Sequence, residues 1–132
     1  MEEFLKKVMK GFGIDPPEAC VIALYLKFPG AINPEWHQKG EHFEVVFHRN
    51  AIECIADFDA TGRLIKYKMN LEEDLLPSSV RDALLQRGEI MNTVLINEGS
   101  HLNYEVILRN KDLQRSMILL DHLGVVIRER LL

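Results

Sequence analysis

The chain has 132 residues, of which 47% are hydrophobic and 27% charged, and its formal net charge is −4 at pH 7. This composition predicts one globular domain, large enough to fold without disulfides, and two cysteines are too few for a small secreted disulfide scaffold. The negative charge argues against nucleic acid and against an anionic membrane surface as partners, because both attract basic proteins.

The first predicted element is an N-terminal helix over residues 1–13. Phe4, Leu5, Val8 and Met9 recur at helical spacing before two glycines. The acidic start and the lysines that follow it differ from a signal peptide, and no later stretch is apolar for the ~18 residues of a membrane span. The sequence as it stands therefore predicts a cytoplasmic protein.

Residues 14–70 form the first predicted unit, a helix followed by four strands. The helix is predicted over 16–28, with Asp15 as its N-cap and proline in its first turn. The apolar period then changes from 3.6 to 2, which is typical of half-buried antiparallel strands. These strands are predicted at 32–37, 42–48, 51–58 and 63–69.

Residues 71–132 form the second predicted unit, with the same order of elements. A helix is predicted over 77–88, where Ser78 and Ser79 are candidate capping residues. The strands are predicted at 91–97, 102–109, 112–120 and 125–131. The whole chain is thus a single α+β domain, in which two tandem helix-plus-strands units form a curved antiparallel sheet with helices on one face.

Short echoes between the two units predict an internal duplication. The segment from Phe58 to Gly62 is repeated from Leu120 to Gly124, the segment from Phe43 to Phe47 is repeated from Tyr104 to Leu108, and Pro17 is repeated at Pro77. Three such echoes occur in the same order at offsets near 60. The alignment also pairs two residues predicted to face the core, Trp36 and Ile96.

These motifs, in this order, resemble the PepSY-like family, which is also described as beta-lactamase-inhibitor-protein-like. The resemblance covers about residues 16–131. It implies a tandem helix-and-sheet fold, no cofactor, no catalytic motif, and inhibitory or regulatory binding; it also implies that relatives are often exported. The motifs that carry it are Phe28-Pro29-Gly30-Ala31, Trp36, Phe43-Glu44-Val45, Phe58-Asp59 with Gly62, Leu76-Pro77, Tyr104-Glu105-Val106, and Asp121 with Gly124.

One group of residues could hold a metal ion. His37, His42, Glu44 and His48 fall on a predicted hairpin, and imidazole and carboxylate groups are common metal ligands. Surface histidines on a hairpin are the commoner interpretation. The segment that begins at Asp57 also imitates an EF-hand loop, but its twelfth position is lysine rather than glutamate. We therefore expect no metal site and no cofactor.

The sequence contains no recognisable set of catalytic residues. Phosphate loops and the usual nucleophile motifs are absent. Cys20 and Cys54 lie at apolar positions and align with Val80 and Ser116, so they are predicted to pack rather than react. We expect no enzymatic activity.

The face of the sheet turned away from the helices is the predicted binding surface. Alternation places apolar residues on it among charged ones, which is typical of protein interfaces. The predicted binding residues are Val46, His48, Ile55, Leu64, Lys66, Leu95, Ile107, Arg109, Met117 and Val126.

These patterns favour a binding module that takes a protein partner through the open sheet face. One alternative is a self-associating structural domain whose only partner is a second copy. The other alternative is a metal- or small-molecule-binding enzyme domain. The first two interpretations are favoured because catalysis needs titratable groups that converge in a cleft.

The predicted helix over 16–28 is apolar also on the side away from the sheet. Residues 19–26 carry no charge, so Val21, Ile22 and Leu26 would need cover on the side away from the sheet. We expect the helix over residues 1–13 to supply it, with a second copy of the chain as the alternative.

Overall fold

The structure is a computed structural model that describes residues 13–132. These residues form two α-helices, one short 3-10 helix and eight antiparallel β-strands, which confirms the α+β class. The chain divides into two compact units between Tyr67 and Lys68. The predicted helix over 1–13 lies outside the described residues.

The first unit begins with helix α1, and its strands are hydrogen-bonded in the order β1-β2-β3-β4. Every element predicted for this unit is present, with ends that differ by one or two residues. The end of β4 extends past Tyr67 into the second unit. The bounds are α1 Glu18–Lys27, β1 Ile32–Lys39, β2 His42–Arg49, β3 Ile52–Asp59 and β4 Leu64–Asn70.

The second unit has the strand order β5-β6-β7-β8. Its helix ends four residues earlier than predicted, because the bonds from Leu85 to Asp82 and from Arg87 to Leu84 tighten the chain into a turn. The bounds are a 3-10 helix Glu73–Leu75, α2 Ser78–Leu84, β5 Glu89–Glu98, β6 His101–Arg109, β7 Arg115–Asp121 and β8 Val126–Leu131.

Both helices begin directly after a proline rather than at the predicted caps. Pro17 and Pro77 hold the N-cap positions with nearly equal backbone angles, φ −54° and ψ 143° against φ −56° and ψ 145°. Asp15 is therefore not the cap of α1. Ser79 donates its hydroxyl hydrogen to the carbonyl of His122 at 2.7 Å, so it joins α2 to the turn between β7 and β8 instead of capping the helix.

An aspartate holds the last turn of each unit through the same bonds. The Oδ1 atom of Asp59 accepts from the backbone N–H groups two and four residues further on, at 2.9 and 3.0 Å. Asp121 does the same at 2.9 and 3.0 Å. Hydrogen bonding, first from the Thr61 hydroxyl, lowers the pKa of Asp59. The two turns are therefore built alike, while the duplication itself stays a prediction.

A related turn joins β6 to β7 but has a leucine where a glycine would fit better. Asn110 Oδ1 accepts two backbone bonds, at 2.9 and 3.0 Å, and the exposed Leu113 adopts φ +63°. A side chain disfavours this left-handed conformation by about 1–2 kcal/mol. We expect Leu113→Gly to raise the free energy of unfolding by roughly 0.5–1 kcal/mol in urea titrations, because glycine also loses more chain entropy on folding.

The matched control for this prediction is Leu123→Gly, in the turn between β7 and β8. Leu123 is exposed to a similar degree but has no positive φ. Glycine there should lower stability through chain entropy alone. Equal destabilisation by both substitutions would contradict the assigned strain at Leu113.

Aromatic side chains fill the core of the first unit, between α1 and one face of its strands. Phe28, just past the end of α1, packs its ring 5.0 Å from that of Phe47 and 5.4 Å from that of Tyr67. Trp36 and Phe58 pack with their rings tilted by 42° and the ring centroids 6.0 Å apart. The residues of this unit that are buried and apolar are Cys20, Leu24, Phe28, Ala31, Trp36, Val45, Phe47, Cys54, Ala56 and Phe58.

Aliphatic side chains dominate the core of the second unit. Val80 and Leu84 of α2 pack against one face of β6 and β7 and are buried there. In the first unit Cys20 and Leu24 of α1 are buried in the same way. The cluster contains Leu76, Val80, Leu84, Tyr104, Val106, Leu108, Ile118 and Leu120. In each unit, therefore, one strand face packs under the helix and the other face is not covered by it.

A β-bulge in β5 corrects two predictions made from alternation. The register shifts between Ile90 and Asn92, so Leu95 lies opposite Tyr104 and packs against the core instead of on the open face. Ile96 then takes the open side, opposite Asn103, although it is buried. A bulge reverses every later side chain of the strand relative to simple alternation.

The same shift changes which residue of the second unit is equivalent to Trp36. Trp36 lies opposite Val45, and Val45 aligns with Val106 in the second unit. The residue opposite Val106 is Thr93, which is buried. Thr93, and not Ile96, therefore holds the position that corresponds to Trp36.

An irregularity in the last strand pair corrects the prediction for Val126. The register shifts between Leu119 and Leu120, which brings Val126 opposite the fully buried Leu120. Val126 packs against the core cluster and does not belong to the open face.

The outer side of α1 is exposed within residues 13–132. Ile22 is 52% exposed and Leu26 is 74% exposed, whereas Val21 is half-buried. Because the proposed cover falls on residues before Gly13, cover by the N-terminal segment or by a second copy stays a prediction.

Candidate functional site

The open face of the first unit, which is the strand face turned away from α1, brings apolar residues together at its centre. Val46 lies directly opposite Ile55, so the two side chains share this face. His48 is two residues along β2 from Val46, and Leu64 and Lys66 alternate likewise on β4. All five predicted residues of this unit are half-buried on the face predicted for them.

Ion pairs surround this apolar centre. Lys39 Nζ lies 2.7 Å from Glu44 Oε2, and Lys66 Nζ lies 3.9 Å from Asp57 Oδ2. Such pairs at a partly solvated surface contribute little to stability, about 0–1 kcal/mol. They hold charged groups in fixed places, which favours selectivity for a partner more than strength of binding.

Asp57 is the most unfavourably placed of these charges. Its carboxylate lies opposite Glu44, and its buried Oδ1 has no hydrogen-bond partner among the described residues. Burial raises the pKa of Asp57, the charge of Glu44 raises it further, and Lys66 partly opposes the shift. A carboxyl whose pKa is raised in the folded state binds its proton more tightly when folded, so its contribution to stability falls as the pH rises through that range.

We expect Asp57→Asn to raise the free energy of unfolding at pH 7 by about 1 kcal/mol, because the charge is removed from a half-buried place and an amide can donate to Glu44. The gain should shrink as the pH falls towards the range in which Asp57 itself takes up a proton. Thermal melts at pH 7 and pH 4 measure both effects. Glu53→Gln is the control, since it removes an exposed carboxylate from the same strand. A loss of stability at pH 7 would contradict the assignment.

The open face of the second unit, the face turned away from α2, has a different character. Ile107 lies opposite Met117, and Met117 lies opposite Arg130 in the next strand. Arg109 lies opposite Arg115 at one end of the face. Of the residues predicted here, Ile107, Arg109 and Met117 are on the open face and half-buried, while Leu95 and Val126 are not on it.

Three apolar residues of this face were missed from the sequence. Leu119 lies opposite Arg128, Val94 opposite Glu105, and Ile96 opposite Asn103. Leu119 could have been found, because it is two residues beyond Met117 on the same strand. Val94 and Ile96 could not, since the bulge in β5 reverses the alternation on which such a prediction depends.

The histidines and Glu44 that were candidate metal ligands do not converge. His42 and His48 are six residues apart on one strand, which corresponds to about 20 Å. His37 lies across from Glu44 and interacts with Glu35 at 3.4 Å. Within residues 13–132 no group of three histidine, cysteine or acidic side chains is close enough to share a metal ion.

Both cysteines are buried and unpaired thiols. Burial raises the pKa of each, most strongly by desolvation of the thiolate. Cys20 Sγ donates to the carbonyl of Asp59 at 3.1 Å, which ties α1 to the end of β3. A thiol of raised pKa in the core packs rather than acts as a nucleophile.

Comparison with known proteins gives the fold. No family model matches the chain, and no curated protein matches its sequence. In the part of the chain that is described, no helix is long and apolar enough to cross a membrane. Several solved structures are nevertheless similar over nearly their whole length.

Three of these structures come from Bacteroides species. A protein from Bacteroides eggerthii, described provisionally as periplasmic, has a TM-score of 0.79 at 18% identity, with 89% of this chain and 90% of that chain covered. A DUF2874 family protein from Bacteroides uniformis has a TM-score of 0.78 at 19% identity, with 89% and 90% covered. A BLIP-like protein from Bacteroides fragilis has a TM-score of 0.75 at 18% identity, with 90% and 88% covered. The chain therefore has the fold of a BLIP-like protein.

Proposed function

We propose that this protein is a non-enzymatic binding module that takes a protein partner on the open strand faces of its units. The observation that carries the proposal is the asymmetry of each unit. One face is closed by a helix, and the other holds half-buried apolar side chains between charged ones. Fully buried cores with a polar rim are the common anatomy of protein interfaces, and a partner would complete that burial.

The open faces have the chemical content of such an interface. Val46 and Ile55 supply an apolar centre in the first unit, and Ile107 and Met117 supply one in the second. Methionine is enriched at interfaces that adapt to a partner, because its side chain is flexible and polarisable.

The comparisons support the proposal by analogy only. One similar structure is described as BLIP-like, a description that refers to an inhibitor protein. At 18% identity this likeness concerns the fold, and folds host many functions. The identity of a partner therefore has to come from experiment.

Affinity capture from the native lysate, followed by mass spectrometry, tests the proposal with three variants. Ile55→Asp and Met117→Asp place a charge at the centre of each open face, and Leu26→Asp places one on the exposed side of α1. We expect a protein that the wild type and Leu26→Asp retain and that at least one face variant loses. Thermal melts confirm that the variants are folded. Retention by both face variants, or no protein retained above background, would contradict the proposal.

Self-association is the second candidate, and the exposed apolar residues of α1 favour it. Ile22 and Leu26 are more than half exposed, and a second copy could bury both. Size-exclusion chromatography with light scattering gives the mass directly. A dimer that Leu26→Asp dissociates would favour this candidate, and a monomer at all concentrations would exclude it.

A further inference from the structure

Four arginines border the apolar centre of the second unit's open face on two sides. Arg109 and Arg115 lie side by side at one end, across β6 and β7. Arg128 and Arg130 lie on β8, opposite Leu119 and Met117 respectively. Since residues directly opposite in an antiparallel pair point to the same side, all four guanidinium groups belong to one surface.

Few acidic groups balance this surface. Arg109 pairs with Glu89 at 2.9 Å. The side chains of Arg115, Arg128 and Arg130 are exposed and make no ion pair with any residue from 13 to 132. By the pairing register this face also carries the carboxylates of Glu89 and Glu105 and, towards its other end, those of Glu98 and Asp121, so its basic part is the region of the four arginines.

The arginines lie along one end and one edge of an apolar patch. Ile107 lies opposite Met117, and Leu119 follows two residues later on the same strand. All three side chains are half-buried. Arginine and methionine are both enriched at protein interfaces, where the guanidinium group binds carboxylates in a fork and also stacks on apolar atoms.

We propose that the second unit's open face binds an acidic protein segment, with apolar side chains of the partner on Ile107, Met117 and Leu119 and carboxylates at the four arginines. The argument is charge complementarity around an apolar centre. The proposal rests on the binding function proposed above and specifies that the partner segment is acidic and partly apolar.

The observations favour a protein over a polyanion such as nucleic acid or an anionic membrane. Phosphate contacts need no apolar centre, and a net charge of −4 repels a long polyanion beyond the local patch. An acidic segment in which apolar residues alternate with glutamate satisfies both parts of the surface. Sheet surfaces of this kind are well suited to an extended chain, whose side chains alternate with the same period.

The test uses the full chain and a fluorescein-labelled peptide of about ten residues, long enough to span roughly 33 Å when extended, in which glutamate alternates with valine or threonine. Fluorescence anisotropy measures the dissociation constant in low salt and at about 0.5 M salt, where surface charges are screened. The same peptide with glutamine in place of glutamate is the neutral probe. We expect binding of the acidic peptide at least tenfold tighter than that of the neutral one, and weakened by salt.

Two double variants with equal changes of charge locate the site. Arg128→Glu with Arg130→Glu reverses two charges on the proposed surface, and Lys27→Glu with Arg63→Glu reverses two exposed charges in the first unit. The first pair should weaken peptide binding at least tenfold, and the second pair less than twofold. Leu119→Ser should also weaken it several-fold, an effect that a site for charge alone would not give. Circular dichroism confirms that each variant is folded.

Three outcomes would overturn the proposal. The first is no preference for the acidic peptide, or equal effects of the two double variants. The second is equal affinity, with the same arginine dependence, for a single-stranded DNA oligonucleotide or for phosphatidylserine vesicles. The third is a homodimer that the Arg128→Glu and Arg130→Glu variant dissociates. If the peptide fails while a captured partner still depends on Met117, this inference is wrong and the binding function stands; if neither Ile55 nor Met117 matters to capture, the function itself is wrong.

Discussion

Alanine at Gly124 or Gly62 is expected to remove about 2–5 kcal/mol from the free energy of unfolding. Both glycines adopt φ +86°, which a side chain disfavours. An added Cβ would clash with the carbonyl oxygen of Ser79 at Gly124, and would lie 2.6 Å from that of Ala19 at Gly62. The obstacle is backbone in the first turn of a helix, so the helix itself would have to move.

Gly30→Ala separates the two causes of this loss. Gly30 has the same φ of +86°, but nothing lies within 4 Å of the position that an added Cβ would take. Alanine at Gly30 should therefore lower the free energy of unfolding only through conformational strain, by about 1–2 kcal/mol. Urea titrations of the three variants measure the difference. If Gly62→Ala and Gly124→Ala lose no more than Gly30→Ala, the close contact between turn and helix is not as described.

Removing the Phe47 ring is expected to lower the free energy of unfolding by about 3–5 kcal/mol. Phe47 is fully buried, and its ring packs 5.0 Å from that of Phe28. Alanine would leave a cavity below α1 and would also remove this aromatic contact. A domain of this size has roughly 5–15 kcal/mol of stability in total, so the variant should unfold at a much lower urea concentration.

Leu85→Ala is the matched control for that prediction. It also removes a large apolar side chain, but from a position that is 69% exposed. Its effect should stay within about 0.5 kcal/mol. A loss at Leu85 comparable to that at Phe47 would contradict the assignment of the large loss to core burial.

Local patterns were sufficient to predict most of the fold. The strand positions followed from alternation, and the turns at Asp59 and Asp121 followed from an aspartate with glycine three residues later. The first residue of α1 could not be predicted from the local pattern. Asp15 has the preferred chemistry of an N-cap, but Pro17 holds that position and has no side-chain cap bond.

Bulges account for the wrong predictions at the open face. Alternation predicts the face of a residue only from the faces of its neighbours in the strand. One extra residue in that strand therefore reverses the predicted face of every residue after it. Leu95 and Val126 were therefore placed on the wrong side, whereas Val46, Ile55 and Met117 lie in strand pairs of continuous register. Nothing in the sequence near Ile90 or Leu119 marks the shift.

The concentration of arginines on the second unit was also hidden in the sequence. Arg109, Arg115, Arg128 and Arg130 come from three strands, and only the pairing register shows that they border one patch. Spacing along the chain gives the face of each residue but not its neighbours across the sheet.

The central claim is that the open strand faces, and not the helix side, contact the partner. Site-specific photo-crosslinking in the cell tests it most directly, with a benzophenone amino acid at Ile55, at Met117 or at Leu26, one position at a time. The account predicts a crosslink to one defined protein from Met117 or Ile55 and none from Leu26. A crosslink from Leu26 alone, with none from either open face, would contradict it.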